Sequence, residues 1–151
     1  MPKGPWKMTS DTAGPPTADA PPIRVLVVDD HAWVRDSLVA LLDGTDGIVV
    51  VGECADGAEV VGAAAAAQPD VVLMDVQMPV VDGLEATRLL VAAQPAARVL
   101  ITGTLTSGLS AQQAAAAGAV GIAPKGTRPQ VLLEAVRVVA AGRTVWPDVL
   151  P

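Results

Sequence analysis

Residues 70–83 read DVVLMDVQMPVVDG: four consecutive apolar residues, an acid at Asp75, then Pro79 and the pair Asp82-Gly83. The run 71–74 is too short for a helix and has no polar alternation, the pattern of a strand covered on both faces. Good helix formers fill residues 83–93, and Pro95 stops them. A buried strand therefore hands its last side chain, Asp75, to a loop that leads into a helix.

The same unit repeats on either side. Apolar runs stand at residues 23–28, 48–51, 71–74, 99–101 and 119–123. Between them, Val34, Leu38, Leu41 and Leu42 recur at helical spacing, as do Leu132, Ala135, Val136 and Val139. Residues 58–67 and 109–117 fill the remaining gaps, and Gly44, Pro69, Gly118 and Gly142 stand where helices should stop. The chain is predicted to be an α/β protein of five strand-helix units, (βα)5, with a doubly wound parallel sheet and helices on both faces. Such sheets bind ligands beyond the carboxyl ends of their strands.

Composition agrees with one domain. The chain has 151 residues, 51% of them hydrophobic, with three tryptophans and no Phe or Tyr. Val, Leu, Ile and Ala must build the core, and aromatic platforms for single-stranded nucleic acid are excluded. The formal net charge is −6, and it all falls after residue 22, because Lys3, Lys7, Asp11 and Asp19 cancel. An acidic domain does not grip a phosphate backbone directly. One cysteine, Cys54, cannot form an internal disulfide, and with His31 alone it cannot build a structural zinc site, so a reducing, cytoplasmic setting is expected. No secretory signal is read at the start. The longest uncharged stretch, residues 99–124, is too broken by Thr, Ser, Gly and Gln to span a membrane. Residues 1–22 hold six of the thirteen prolines and read as a disordered extension, residues 23–146 as the folded domain, and residues 147–151 as the start of a linker or tail.

The strand ends collect polar groups: Asp29 and Asp30 after the first run, Asp75 after the third, Thr102 after the fourth and Lys125 after the fifth. Three crowded carboxylates repel one another unless a cation neutralises them. A hard divalent ion such as Mg²⁺, which takes oxygen ligands and often shares a phosphate, meets that need. Lys125 is the only lysine after Lys7, a compact ammonium able to pair with a carboxylate or a phosphoryl oxygen.

These residues carry a resemblance. IRVLVVDD (23–30), DVVLMDVQMPVVDG, VLIT (99–102) and GAVGIAPK (118–125) resemble, in order and spacing, the receiver domain of bacterial two-component response regulators. DDHAWVRDSLVALL (29–42) and VLLEAVRVVAAGRTV (131–145) are most similar to members followed by a LuxR-type helix-turn-helix output. The resemblance implies a flavodoxin-like sheet of strand order 2-1-3-4-5. It implies that Asp75 is the phosphoacceptor for a sensor histidine kinase. Asp30, Asp75 and the Gln77 carbonyl would hold Mg²⁺, or Mn²⁺ as a substitute, with Asp29 acting through a water. Thr102 and Lys125 would contact the phosphoryl group, and the amides of Val76 and Gly103 would complete its cradle. Gln77 and Thr104 would tune hydrolysis. DNA would be reached only through an output domain outside this chain, with no membrane contact; a homodimer is a further expectation.

The sequence departs from that pattern in two places. Ile122 stands where the family usually has an aromatic, so signalling would travel by backbone and aliphatic repacking. Pro124 precedes Lys125 and Gly126 follows it, which leaves the isomer of the Ala123–Pro124 bond open. Extra apolar residues on the last helix, Val131, Leu133 and Val138, suit either burial or a second protomer. His31 does not build a Ser-His-Asp site, since no G-x-S-x-G elbow exists. Trp33 and Trp146 are read as packing residues. The leading reading is a signalling switch rather than a turnover enzyme. Its competitors are an aspartate-nucleophile phosphatase, disfavoured by Gln77 where a second acid would stand, and a phosphorylation-independent pseudo-receiver interaction module.

Overall fold

The computed structural model describes residues 20–103 and 110–147. The readings of residues 1–19, Thr104 and residues 148–151 lie outside the described residues. Five strands, β1 (Ile23–Val28), β2 (Ile48–Cys54), β3 (Val71–Asp75), β4 (Val99–Gly103) and β5 (Gly121–Pro124), alternate with five helices, α1 (Ala32–Asp43), α2 (Val60–Ala67), α3 (Gly83–Ala93), α4 (Ala111–Ala117) and α5 (Pro129–Ala140). The sheet is parallel throughout, in the order β2-β1-β3-β4-β5. This is the expected flavodoxin-like architecture.

Period-two alternation sorts the strand side chains between two cores. Leu26, Val28, Val72, Met74, Val99, Ile101 and Ile122 face the layer that holds α2, α3 and α4. Val25, Val27, Leu73, Leu100 and Ala123 face α1 and α5, where the predicted stripe Leu132, Ala135, Val136 and Val139 is buried. Every residue of β3 and β4 is buried, as runs without polar alternation require.

Helix ends follow local chemistry. Asp82 caps α3 by accepting from the Glu85 amide at 2.9 Å. Ser110 and Gln113 form a reciprocal capping box on α4. Gly118 ends α4 in the left-handed region at φ 107, with Val91 packed close behind it. Pro129 opens α5 at its first turn.

Several expectations need correction. β5 runs from Gly121 to Pro124, not 119–123, because the Ala119 amide turns back to the Ala114 carbonyl at 3.0 Å and completes the end of α4. β2 continues to Cys54 and β4 to Gly103, beyond their apolar runs. A 3-10 turn, Gly57–Glu59, precedes α2. Trp33 is 73% exposed rather than packed inside, flanking a groove of 470 Å³ with Leu38, Leu41, Pro129 and Leu132. Trp146 does pack, against the layer that includes Ile122. It is carried there by Val145, which forms a parallel bridge with Gly121 and exchanges hydrogen bonds with Ile122 (2.9 Å) and Val120 (3.0 Å). The Ala123–Pro124 bond is trans, like every peptide bond described.

Candidate functional site

β1, β3, β4 and β5 end side by side, and each delivers one element of a pocket at the carboxyl edge. Asp29 follows β1 and is fully buried, Asp75 closes β3 and is almost fully buried, and Thr102 lies buried in β4. Thr102 pairs with Asp75 on one side and Ala123 on the other. Lys125, just after β5, is tied to β4 by its amide, which donates to the Gly103 carbonyl at 2.8 Å.

Lys125 Nζ stands 3.0 Å from Asp75 Oδ1 and 3.5 Å from Asp29 Oδ2. The Gln77 amide donates to Asp75 Oδ1 at 3.3 Å, while the Gln77 side chain is exposed. The Thr102 hydroxyl donates to the Met74 carbonyl at 3.4 Å, and the Val76 amide donates to the Thr102 carbonyl at 3.0 Å. The structure thus brings Asp29, Asp30, Asp75, Thr102 and Lys125 together, with Val76, Gln77 and Gly103 as their chain neighbours.

Two contributors went unread in the sequence. His31 turns its Nδ1 toward the acids, 3.4 Å from Asp29 Oδ1 and 3.2 Å from Asp30 Oδ1, and its own amide donates to Asp29 Oδ1 at 2.9 Å. Its place directly after the acidic pair was the available signal. Arg35, one turn into α1, donates to the Asp29 carbonyl at 2.7 Å and pairs with Glu53 on β2 at 3.3 Å. Arg35 thereby clamps the turn that presents both acids.

Burial pushes the Asp75 carboxyl above its ordinary value; Asp29 adds to that, while Lys125 and the Gln77 amide oppose it. For Lys125, burial is the largest single influence and pulls downward. The Asp75 hydrogen bond and charge, with Asp29 behind them, outweigh it and hold the ammonium above its usual value. Both shifts describe one arrangement, too many buried negative oxygens around a single cation.

That arrangement fits a divalent ion. Asp29 Oδ2, Asp30 Oδ1 and Asp75 Oδ2 are buried without a hydrogen-bond partner, a costly state for carboxylate oxygens. The long 3.5 Å approach of Lys125 to Asp29 Oδ2 and the 3.2 Å approach of His31 to Asp30 Oδ1 are electrostatic contacts rather than hydrogen bonds. Ligand atoms of Asp29, Asp30, His31 and Asp75 all lie within 4.8 Å of one another.

Known proteins share this plan. A family model described as the response regulator receiver domain matches residues 25–137. The chain is 41% identical over 128 residues to the response regulator GacA of Pseudomonas viridiflava, an alignment covering 84% of this chain and 60% of that protein. It therefore spans less than two thirds of that relative. The crystal structure of a LuxR-family two-component response regulator from Aurantimonas sp. SI85-9A1 matches with a TM-score of 0.77 at 35% identity, over 82% of this chain and 89% of that one. The response regulator domain of Thermotoga maritima CheB matches with a TM-score of 0.71 at 36% identity, over 80% and 97%. No helix among the described residues is long and apolar enough to cross a membrane.

Proposed function

The chain belongs to the response regulator receiver domain family, and from that premise we propose that it is a phosphoacceptor switch whose acceptor is Asp75. The observation that carries the reading is the state of the Asp75 carboxylate. Oδ1 is held by Lys125 and the Gln77 amide, while Oδ2 is buried and unpartnered beside two further acids.

Asp75 Oδ2 attacks the phosphorus of a phosphohistidine on a sensor histidine kinase. A P–O bond forms, the P–N bond breaks, and the imidazole leaves with its electron pair. Phosphoryl transfer has a loose transition state, so the pocket contributes alignment and charge neutralisation rather than covalent chemistry. Asp30, Asp75 and the Gln77 carbonyl would hold Mg²⁺, or Mn²⁺ in its place, with Asp29 acting through a water. A bound ion would supply the positive charge that lets the carboxylates and the phosphoryl oxygens share one pocket. Lys125 moves its ammonium from Asp75 to a phosphoryl oxygen. Thr102 exchanges the Met74 carbonyl for another phosphoryl oxygen, and the Gly103 amide lines the cradle; the Val76 amide, expected there from the sequence, is instead committed to the Thr102 carbonyl at 3.0 Å.

The acyl phosphate is activated, and water cleaves it at phosphorus to return Asp75 and inorganic phosphate. Its added charge, roughly −1.5 to −2, biases the β4–α4 region between two arrangements. The chain acts in the cytoplasm, reaches DNA only through a LuxR-type output domain, and pairs with a second copy. The test is intact mass after treatment with acetyl phosphate, with and without Mg²⁺, for the wild type and Asp75→Asn. One phosphate adduct on the wild type alone, dependent on Mg²⁺, is expected; an adduct on both proteins or on neither overturns the reading.

A further inference from the structure

The acidic pocket contains a nitrogen donor that an oxygen-only Mg²⁺ site does not use. His31 is 57% exposed, yet its Nδ1 faces inward onto Asp29 Oδ1 and Asp30 Oδ1 at 3.4 and 3.2 Å. A charge-assisted hydrogen bond between imidazolium and carboxylate closes to about 2.7–2.9 Å. Adjacent ligands on one octahedral ion, each with a bond of about 2.1 Å, lie about 3.0 Å apart instead. The separations here are longer than such a hydrogen bond and are compatible with two ligands on the edge of one coordination shell. Ligand atoms of Asp29, Asp30, His31 and Asp75 cluster within 4.8 Å of one another, which places the imidazole at the same pocket as the acids.

Charge and burial point the same way. Three carboxylates meet one lysine ammonium, leaving an excess that one divalent ion balances. The oxygens of Asp29 and Asp75 that lack a hydrogen-bond partner belong to side chains that are at least nine-tenths buried. The α1 turn fixes the backbone from which the imidazole projects, since the His31 backbone amide donates to Asp29 Oδ1 and Arg35 grips the Asp29 carbonyl.

We propose that His31 Nδ1 is a direct ligand of the cation pocket and makes it a mixed nitrogen and oxygen site that prefers a divalent first-row transition cation to Mg²⁺. Carboxylates and waters suit Mg²⁺ and Mn²⁺ alike, whereas an imidazole adds affinity only for the transition ion. This rests on reading Asp29, Asp30 and Asp75 as the cation pocket of a phosphoacceptor. His31 is then a selectivity residue: it decides which ion is present when Asp75 reacts.

Mn²⁺ is the probe. Pulsed electron paramagnetic resonance on the Mn²⁺-loaded full chain should show modulation from a directly bound ¹⁴N, absent in His31→Ala. Calorimetric titrations should show the preference for Mn²⁺ over Mg²⁺ falling at least about tenfold in His31→Ala and His31→Asn, through loss of Mn²⁺ affinity. Absence of nitrogen modulation in the wild type, or an unchanged preference in both variants, overturns the proposal. Intact mass of the same samples after acetyl phosphate separates the two readings. A Mg²⁺-dependent adduct on Asp75 without nitrogen modulation removes only the His31 ligand; no adduct under any cation removes the phosphoacceptor reading beneath it.

Discussion

Gly83 lies directly behind Asp75: a Cβ added to Gly83 would overlap the Asp75 carbonyl oxygen and come within 2.7 Å of the Val76 Cα. The first residue of α3 therefore sets the position of the proposed acceptor, and the Gly83 amide fixes the approach by donating to the Val76 carbonyl at 2.9 Å. Both obstructing groups are backbone, so no side chain can turn away. Gly83→Ala should destabilise the domain by about 1–3 kcal/mol in urea unfolding, as overpacking does. It should also slow phosphorylation of whatever fraction remains folded, read by intact mass against time.

The raised carboxyl of Asp75 fixes the sign of a pH effect. Its folded-state value lies above the ordinary 3.8. Its stabilising contribution is therefore complete below that value and is lost as pH rises through the raised one. Without divalent cations, the urea midpoint of the wild type relative to Asp75→Asn should fall as pH rises from below 3.8 to 7.5, with the variant the more stable protein at pH 7.5. Adding Mg²⁺ should raise the wild-type midpoint at pH 7.5 and leave the variant nearly unchanged.

Cys54 gives an alkaline counterpart. Burial first, then Glu59 and Asp56, push its thiol from 9.0 up to about 11, against the pull of Arg35. Stability from the protonated thiol is complete below the unfolded value and disappears as pH climbs through the folded one. Unfolding free energy should drop by roughly 2 kcal/mol between pH 9 and 11, and Cys54→Ala should remove that slope. Native protein should resist iodoacetamide at pH 8, as a buried neutral thiol does.

Val80 carries backbone strain beside the pocket. Its φ is +68 and its side chain is 99% exposed, so a β-branched residue occupies the left-handed region with no packing in return. Val80→Asn should stabilise the domain by about 1 kcal/mol, read as a shifted urea midpoint with an unchanged slope.

Much of this molecule was legible before its coordinates. Buried runs and helical stripes disclosed the five-unit alternation because each layer obeys one period, and the α5 stripe Leu132, Ala135, Val136 and Val139 is buried as read. Asp29, Asp75, Thr102 and Lys125 were found because parallel strands must deliver their ends to one edge. Ala119 misled because apolarity does not reveal a backbone amide already committed to ending a helix. Trp33 misled because aromatic size suggests burial, although it lies one residue off the stripe of Val34, Leu38 and Leu41 and so faces outward. The strain at Val80 and the contact behind Asp75 depend on tertiary placement, and no local pattern encodes them; the inward turn of His31 was signalled only by its place after the acidic pair.

The bridge between Gly121 and Val145 acts on β5 from outside. A Cβ on Gly121 would meet the Val145 carbonyl oxygen at 2.7 Å, so Gly121→Ala should loosen that segment. Trypsin should then cut after the exposed Arg143 several times faster than in the wild type, measured by limited proteolysis at native pH.

The same bridge changes what the outer rims of the sheet offer to other chains. Val145 occupies backbone groups on one rim, and on the opposite rim the β1–β2 register slips by a residue between Val25 and Leu26, leaving a bulge in β2. An unprotected rim invites strand addition and runaway self-association. A chain this rich in alanine and valine is thus shielded on both flanks against fibril-like stacking, while the edge that carries Asp29, Asp75 and Lys125 stays open.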